Sequence, residues 1–263
     1  MNVLEKYFRA VEAKNSRLCV GLDTTLEKIP HTLASRGIDG MYKFNRQIIK
    51  ATAPYAACYK INLAFYEQYG AEGFELVKKT LAQIPDDIVT IADAKRGDIG
   101  NTSKAYARAV FDDLKADAVT VSPYMGSDSV EPFLFGDKFV FVLALTSNVG
   151  SGDFQRLESN GKPLFMHVIE KACTWTPESK LGFVVGATHP DEIAEIRKVI
   201  PERLLLIPGV GTQGGDLEGT RKANGTSPYT INVSRDILYR TRNEDFAELA
   251  GERAKYYAEQ MGK

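Results

Sequence analysis

Short, unbroken apolar runs alternate along the whole chain with stretches whose apolar residues recur every three or four positions. The first pattern is that of strands buried on both faces, the second that of helices with one buried stripe. Val3, Leu4, Tyr7, Phe8 and Val11 predict an opening helix over residues 2–14. Strands are predicted at 18–23, 56–62, 88–92, 118–122, 139–147, 182–187, 204–207 and 229–233. Helices are predicted between them at 39–53, 63–83, 101–115, 127–135, 163–173 and 189–200, with a closing helix at 243–261. Residues 148–160, rich in Gly, Ser and Asn, read as a long loop, and only a short helix, from Asp216 to about Lys222, fits before the last strand.

Eight apolar strands alternating with helices imply a parallel sheet covered on both sides. Eight units favour a closed (β/α)₈ TIM barrel over an open doubly wound sheet, and the chain length suits one such barrel. No linker or shift in composition interrupts the pattern, so residues 1–263 are expected to form one domain with an additional N-terminal helix. In this architecture chemistry gathers at the C-terminal ends of the strands. Asp23, Lys60, Asp93, Lys95, Asp98 and Ser147 all fall there.

The densest of these ends is Ile91-Ala92-Asp93-Ala94-Lys95-Arg96-Gly97-Asp98. On a regular strand Asp93 and Lys95 point to one side, roughly 7 Å apart at the backbone. Gly97 and Gly100 then place Asp98 on the loop, before a helix that starts near Asn101-Thr102. A strand end running into a polar loop would give the same letters. Burying several charges together costs enough, however, that such a cluster points to a site.

Net charge is −1, so no basic field attracts nucleic acid or an acidic membrane surface. The first ten residues mix charges with apolar positions, unlike a signal peptide, and no apolar run approaches a membrane span. A cytoplasmic enzyme is expected. Cys19, Cys58 and Cys173 form no CxxC pair, and His31, His167 and His189 lack ligand spacing. Neither a metal site nor an organic cofactor is suggested.

Pro208-Gly209-Val210-Gly211-Thr212-Gln213-Gly214-Gly215 follows the seventh strand. Its GxGxxG spacing would pass for a dinucleotide fingerprint, but it sits in the seventh unit and opens only a short helix. Glycines that let backbone amides approach a phosphate fit better, because loops after strands seven and eight are the usual phosphate site of this barrel. Ser234-Arg235-Asp236 adds a guanidinium fork there, unless Arg235 is spent on an ion pair with Asp236. The expected ligand is a phosphomonoester whose far end reaches the Asp/Lys cluster.

With both ends in view, the sequence resembles the orotidine 5′-phosphate decarboxylase family, in its longer-chain subgroup. Asp93-Ala94-Lys95-Arg96-Gly97-Asp98-Ile99 is similar to the family's Asp-x-Lys-x-x-Asp signature. Asp23, Lys60 and Pro208-Gly-Val-Gly-Thr-Gln213 add to the likeness. The resemblance implies decarboxylation of orotidine 5′-monophosphate to UMP and CO₂ in de novo pyrimidine biosynthesis, without a cofactor. It implies a charged network of Lys60, Asp93, Lys95 and Asp98, with Asp23 and Lys60 on the ribose hydroxyls. Ser147 would face the pyrimidine, and Pro208, Gln213, Ser234 and Arg235 would lie at the phosphate. It further implies a homodimer in which Asp98 and Thr102 cross into the partner's site. The family often has Gly-Arg where this chain has Ser234-Arg235. The same Asp-x-Lys-x-x-Asp spacing occurs in barrel decarboxylases and aldolases acting on sugar phosphates, often with Mg²⁺, and a nucleotide-binding barrel without activity is a further alternative.

Overall fold

Eight parallel strands pair in chain order and close on themselves. They are β1 (Leu18–Gly21), β2 (Ala56–Asn62), β3 (Val89–Arg96), β4 (Ala118–Val121), β5 (Phe139–Leu145), β6 (Leu181–Val185), β7 (Leu205–Pro208) and β8 (Tyr229–Val233). β1 pairs with both β2 and β8, which leaves the barrel sheet without an open edge. The longer helices are α1 (Val3–Lys14), α2 (Gly37–Thr52), α3 (Gly70–Leu81), α4 (Gly100–Arg108), α5 (Leu164–Cys173), α6 (Pro190–Val199), α7 (Leu217–Asn224) and α8 (Phe246–Met261). The structure, a computed structural model, describes residues 1–188, 190–211 and 215–262. It is the expected TIM barrel with one helix ahead of β1.

Alternate residues of most strands belong to two separate apolar clusters. Leu18, Val20, Tyr59, Ile61, Val119 and Val121 face the helices and join Phe44, Ile48, Phe111 and Ile193 in the main core. Cys19, Cys58, Ile91, Ala118, Phe139 and Leu206 face inward and pack with Val3, Tyr7 and Ala10 of α1. That helix therefore fills the N-terminal mouth of the barrel. Its start is fixed by a capping box between Asn2 and Glu5, and the Tyr7 hydroxyl donates to the Tyr229 carbonyl. Two residues further along four of the strands, the same inward face changes character. Cys58 is followed by Lys60, Ile91 by Asp93, Ala118 by Thr120 and Thr230 by Asn232, all buried. The apolar floor thus ends in a polar layer at the C-terminal mouth.

Several expectations differ from the structure, and the helix expected over 127–135 is two 3₁₀ turns, Ser127–Ser129 and Glu131–Phe133. The helix expected over 63–83 is broken into Ala64–Glu67 and α3. Gly70 has φ +61°, and a Cβ on Gly73 would lie 1.8 Å from the Tyr66 carbonyl oxygen, so the chain turns where only glycine fits. The loop expected at 148–160 contains a helical turn, Ser151–Phe154, and then a hairpin pairing Glu158–Ser159 with Lys162–Pro163. Asn160 and Gly161 both have positive φ at its tip, the conformation of an Asn-Gly hairpin turn. The helix expected from His189 begins as α6 at Pro190, and His189 lies outside the described residues.

Arg197 ties the last units together from below. Its guanidinium is buried, donates to Asn224 Oδ1 at 2.8 Å and reaches the carbonyls of Ile200, Arg203 and Pro228. Burial lowers its pKa to about 10. Truncation would take the guanidinium donor from Asn224 Oδ1 and the Arg203 carbonyl inside the protein, while the Ile200 and Pro228 carbonyls keep the amides of Arg203 and Leu205. Arg197→Ala should therefore cost about 3–5 kcal/mol of stability, since each orphaned buried group costs about 1–3 kcal/mol. Urea unfolding of the variant against the parent measures this.

Candidate active site

Asp93 lies at the centre of the polar layer, on the inward face of β3. Its Oδ2 accepts from Lys60 Nζ at 2.8 Å, and its Oδ1 accepts from Lys95 Nζ at 2.6 Å and from Thr120 Oγ1 at 2.9 Å. Burial by itself would push this carboxyl up, but Lys60 and Lys95 hold it well below the usual carboxylate range. Burial likewise works against a charged Lys60, yet Asp23 and Asp93 raise it above the ordinary lysine value. Asp23 stands just past β1, with Oδ1 3.8 Å from Lys60 Nζ. That oxygen is buried and has no hydrogen-bond partner among the described residues.

Regular strand geometry does not explain how Lys95 meets Asp93. Ala92 pairs with Val119, but the next β3 pairing is Arg96 with Val121, so β3 carries a bulge of two residues. Within it Lys95 has φ +46°, a left-handed conformation costing of order 1–3 kcal/mol in a non-glycine residue. The two side chains meet because the backbone is kinked, and alternation along a flat strand is not the reason. The Lys95 side chain is 46% exposed, against 8% for Asp93. Arg96 turns the other way, to Glu67 and the face of Tyr106, and anchors the loop.

A cavity of about 390 Å³ opens over this cluster. Of the residues picked from sequence, Asp23, Lys60, Asp93, Lys95, Ser147, Pro208, Ser234 and Arg235 line it. Gly209 and Val210 line it too, with Gly209 and Gly211 at φ +107° and +93°. Gln213, with Thr212 and Gly214, lies outside the described residues. Arg235 is not consumed by Asp236, which instead pairs with Arg240 and Arg253 and accepts from the Tyr257 hydroxyl. The Ser234 hydroxyl is buried without a partner among the described residues. A Cβ on Gly21 would come within 2.8 Å of Ser234 Cβ, so glycine there makes room for serine.

Asp98 and Thr102 are not on the cavity wall of their own chain. Asp98 Oδ1 accepts from the Ile99 amide at 2.8 Å, and Thr102 is exposed on α4. The single chain therefore does not bring Lys95 between two acids. Sequence reading missed Asn62, Thr120, Thr146, Asn148 and Asn232, which complete the polar wall. Strand periodicity could have found Thr120 and Asn232, which share a face with the inward residues two positions earlier. Asn62 follows Lys60 by the same step.

A closed parallel barrel with a lysine-aspartate cluster and a glycine-rich turn on one mouth defines a barrel enzyme acting on a small charged substrate. Comparison with known proteins narrows this. The family model described as orotidine 5′-phosphate decarboxylase / HUMPS family matches residues 16–248, and the chain belongs to that family. A Christiangramia forsetii orotidine 5′-phosphate decarboxylase is 52% identical, covering 94% of this chain and 93% of its own. The Phocaeicola vulgatus protein of that name is 48% identical over 98% and 97%. A solved Leishmania donovani OMP decarboxylase superposes with TM-score 0.85 at 36% identity, over 99% of both chains. The chain is thus a carboxy-lyase by class.

The cluster sets a pH dependence of stability. A carboxyl with a depressed folded pKa contributes fully above its unfolded value, near 3.9, and loses that contribution as pH falls through the folded value. The raised Lys60 contributes fully below the unfolded lysine value, near 10.4, and loses it only as pH rises through the folded value. Asp93→Asn should accordingly be less stable than the parent at pH 6, with the gap narrowing as pH drops from about 4 toward 2. Urea melts across that range test it; a gap independent of pH would contradict the assignment.

Proposed function

We propose that this chain decarboxylates orotidine 5′-monophosphate to UMP, and that it does so by prearranged charge, without a metal or organic cofactor. The cavity is the observation that carries the reading. A charge cluster forms one side of it, and Pro208, Gly209, Ser234 and Arg235 the other. Phosphate bound by Arg235, the glycine turn and Gln213 would place the pyrimidine beside Ser147 and over Lys95. Asp23 and Lys60 would take the ribose hydroxyls, and the buried Asp23 Oδ1, without a hydrogen bond among the described residues, suits a hydroxyl donor.

In the proposed step the bond from C6 to the carboxylate breaks, CO₂ leaves, and the electron pair remains on C6. Lys95 stabilises that charge and donates its proton there. Such stabilisation is strongest when the charge is already in place before reaction. Lys95 is the half-exposed cation of the network and can regain its proton from water, whereas Lys60 is buried. Asp93 keeps both ammonium groups in register and stands beside the departing carboxylate. Phosphate contacts at the remote end supply binding energy for closure over the site.

The active unit in this reading is a homodimer. Asp98 and Thr102 would cross into the neighbouring cavity, giving Lys95 its second acid. Ile99 and Tyr106, at the start of α4 and within it, and Tyr124 and Met125, after β4, are large apolar side chains left exposed, Tyr124 by 86%, as a surface awaiting a second copy would be. Residues 1–263 act as one catalytic domain in the cytoplasm; among the described residues no helix is long and apolar enough to cross a membrane.

With orotidine 5′-monophosphate, the purified protein should release CO₂ and UMP in equal amounts. Lys95→Ala should lose at least about 10³-fold in turnover, the scale of a lost proton donor and charge stabiliser together, while melting like the parent. A folded, active Lys95→Ala would refute its role. Lys95→Ala and Asp98→Ala homodimers should both be inactive, and mixing their subunits should restore about one site per heterodimer. Verified heterodimers without activity would show that Asp98 serves its own chain.

A further inference from the structure

The bulge in β3 raises the question of what holds Lys95 in a conformation that lysine disfavours. Four steps along β3, from Ala92 to Arg96, face only two along β4, from Val119 to Val121. The Lys95 amide therefore has no place in the regular ladder between the two strands. It donates instead to Thr120 Oγ1, at 2.9 Å. The same oxygen carries the proton donated to Asp93 Oδ1, also at 2.9 Å. A carboxylate and an amide leave the hydroxyl only one arrangement: it must accept from Lys95 and donate to Asp93.

We propose that Thr120 is a positioning residue for Lys95, its single hydroxyl fixing both the left-handed backbone of the lysine and the carboxylate that receives the lysine's ammonium. The inference rests on the functional reading above and adds a residue that the charge pattern does not reveal. Thr120 is 1% exposed on the inward face of β4, and its β-branch restricts rotation of the hydroxyl away from this line. Four groups are thereby held as one unit: the amide and ammonium of Lys95, the carboxylate of Asp93, and Lys60 on the other oxygen. Loss of the hydroxyl would leave the Lys95 amide unpaired and Asp93 short of one donor, while the cavity wall keeps its shape. The consequence is a lysine with freedom to leave its station, which affects the chemical step more than the grip on phosphate at the far end.

Thr120→Val, which keeps the shape, and Thr120→Ser, which keeps the hydroxyl, separate these effects. Decarboxylation of orotidine 5′-monophosphate gives kcat and KM, inhibition by UMP reports binding, and thermal melting reports the fold. Thr120→Val should lower kcat by about 10- to 100-fold, the loss of a hydrogen bond to a charged group, with KM and UMP affinity within about threefold of the parent. Thr120→Ser should recover kcat to within about threefold. A Thr120→Val kcat within about twofold of the parent, a Thr120→Ser as impaired as the valine variant, or an equal loss of UMP affinity would each overturn the proposal. Should the valine variant fail to fold, Thr120→Ala against Thr120→Ser gives the same comparison, with the same outcomes. A parent protein that releases no CO₂ would bring down the functional reading and this inference together, whereas an active parent with an unaffected valine variant would bring down the inference alone.

Discussion

Everything at the mouth of this barrel depends on one carboxylate with all its near neighbours supplied. Asp93 receives Lys60 on one oxygen and Lys95 with Thr120 on the other. A buried carboxylate without partners would cost several kcal/mol and protonate instead. Here the two ammonium groups overcome burial and keep it ionised. The converse also holds, because the buried Lys60 stays charged through Asp23 and Asp93. Neither sign can be removed alone without leaving the other stranded.

The barrel makes this arrangement affordable. Below the charged layer the interior is apolar and plugged by Tyr7 and its neighbours on α1, so the cluster has a dry floor and an open roof. Above it, the turn after β7 and Arg235 after β8 face the same cavity. The Asp236 carboxylate next to Arg235 is neutralised from α8 by Arg253 and from its own turn by Arg240. An anion at the turn would otherwise meet that negative charge. The kink at Lys95 stores backbone strain where the chemistry is proposed to occur, and Thr120 holds it in place.

Much of this was legible in the residues alone. Apolar runs without alternation gave parallel, doubly covered strands, and their number gave the barrel. The Asp93-Ala94-Lys95 spacing pointed to two side chains that do meet, but Lys95 reaches Asp93 through a bulge that strand periodicity does not encode. The helix broken at Gly70 and the hairpin at Asn160-Gly161 carried local signals that the broader hydrophobic pattern overrode. Thr120 and Asn232 went unnoticed because uncharged polar residues inside apolar strands look like ordinary strand formers; only their placement on the inward face, beside the cluster, gives them meaning. Asp98 shows a different limit: a residue whose proposed place is in another subunit meets, among the described residues, the amide of its neighbour Ile99 and not the cluster.

The central claim is that fixed charge, and neither a metal ion nor an organic cofactor, carries the reaction. The most direct measurement is the loss of orotate absorbance as the purified protein consumes orotidine 5′-monophosphate, in excess EDTA and without it. The account predicts the same rate in both. A rate that collapses in chelator and returns on adding Mg²⁺ would contradict it, and would move the chain toward the metal-dependent sugar-phosphate enzymes that share its signature spacing.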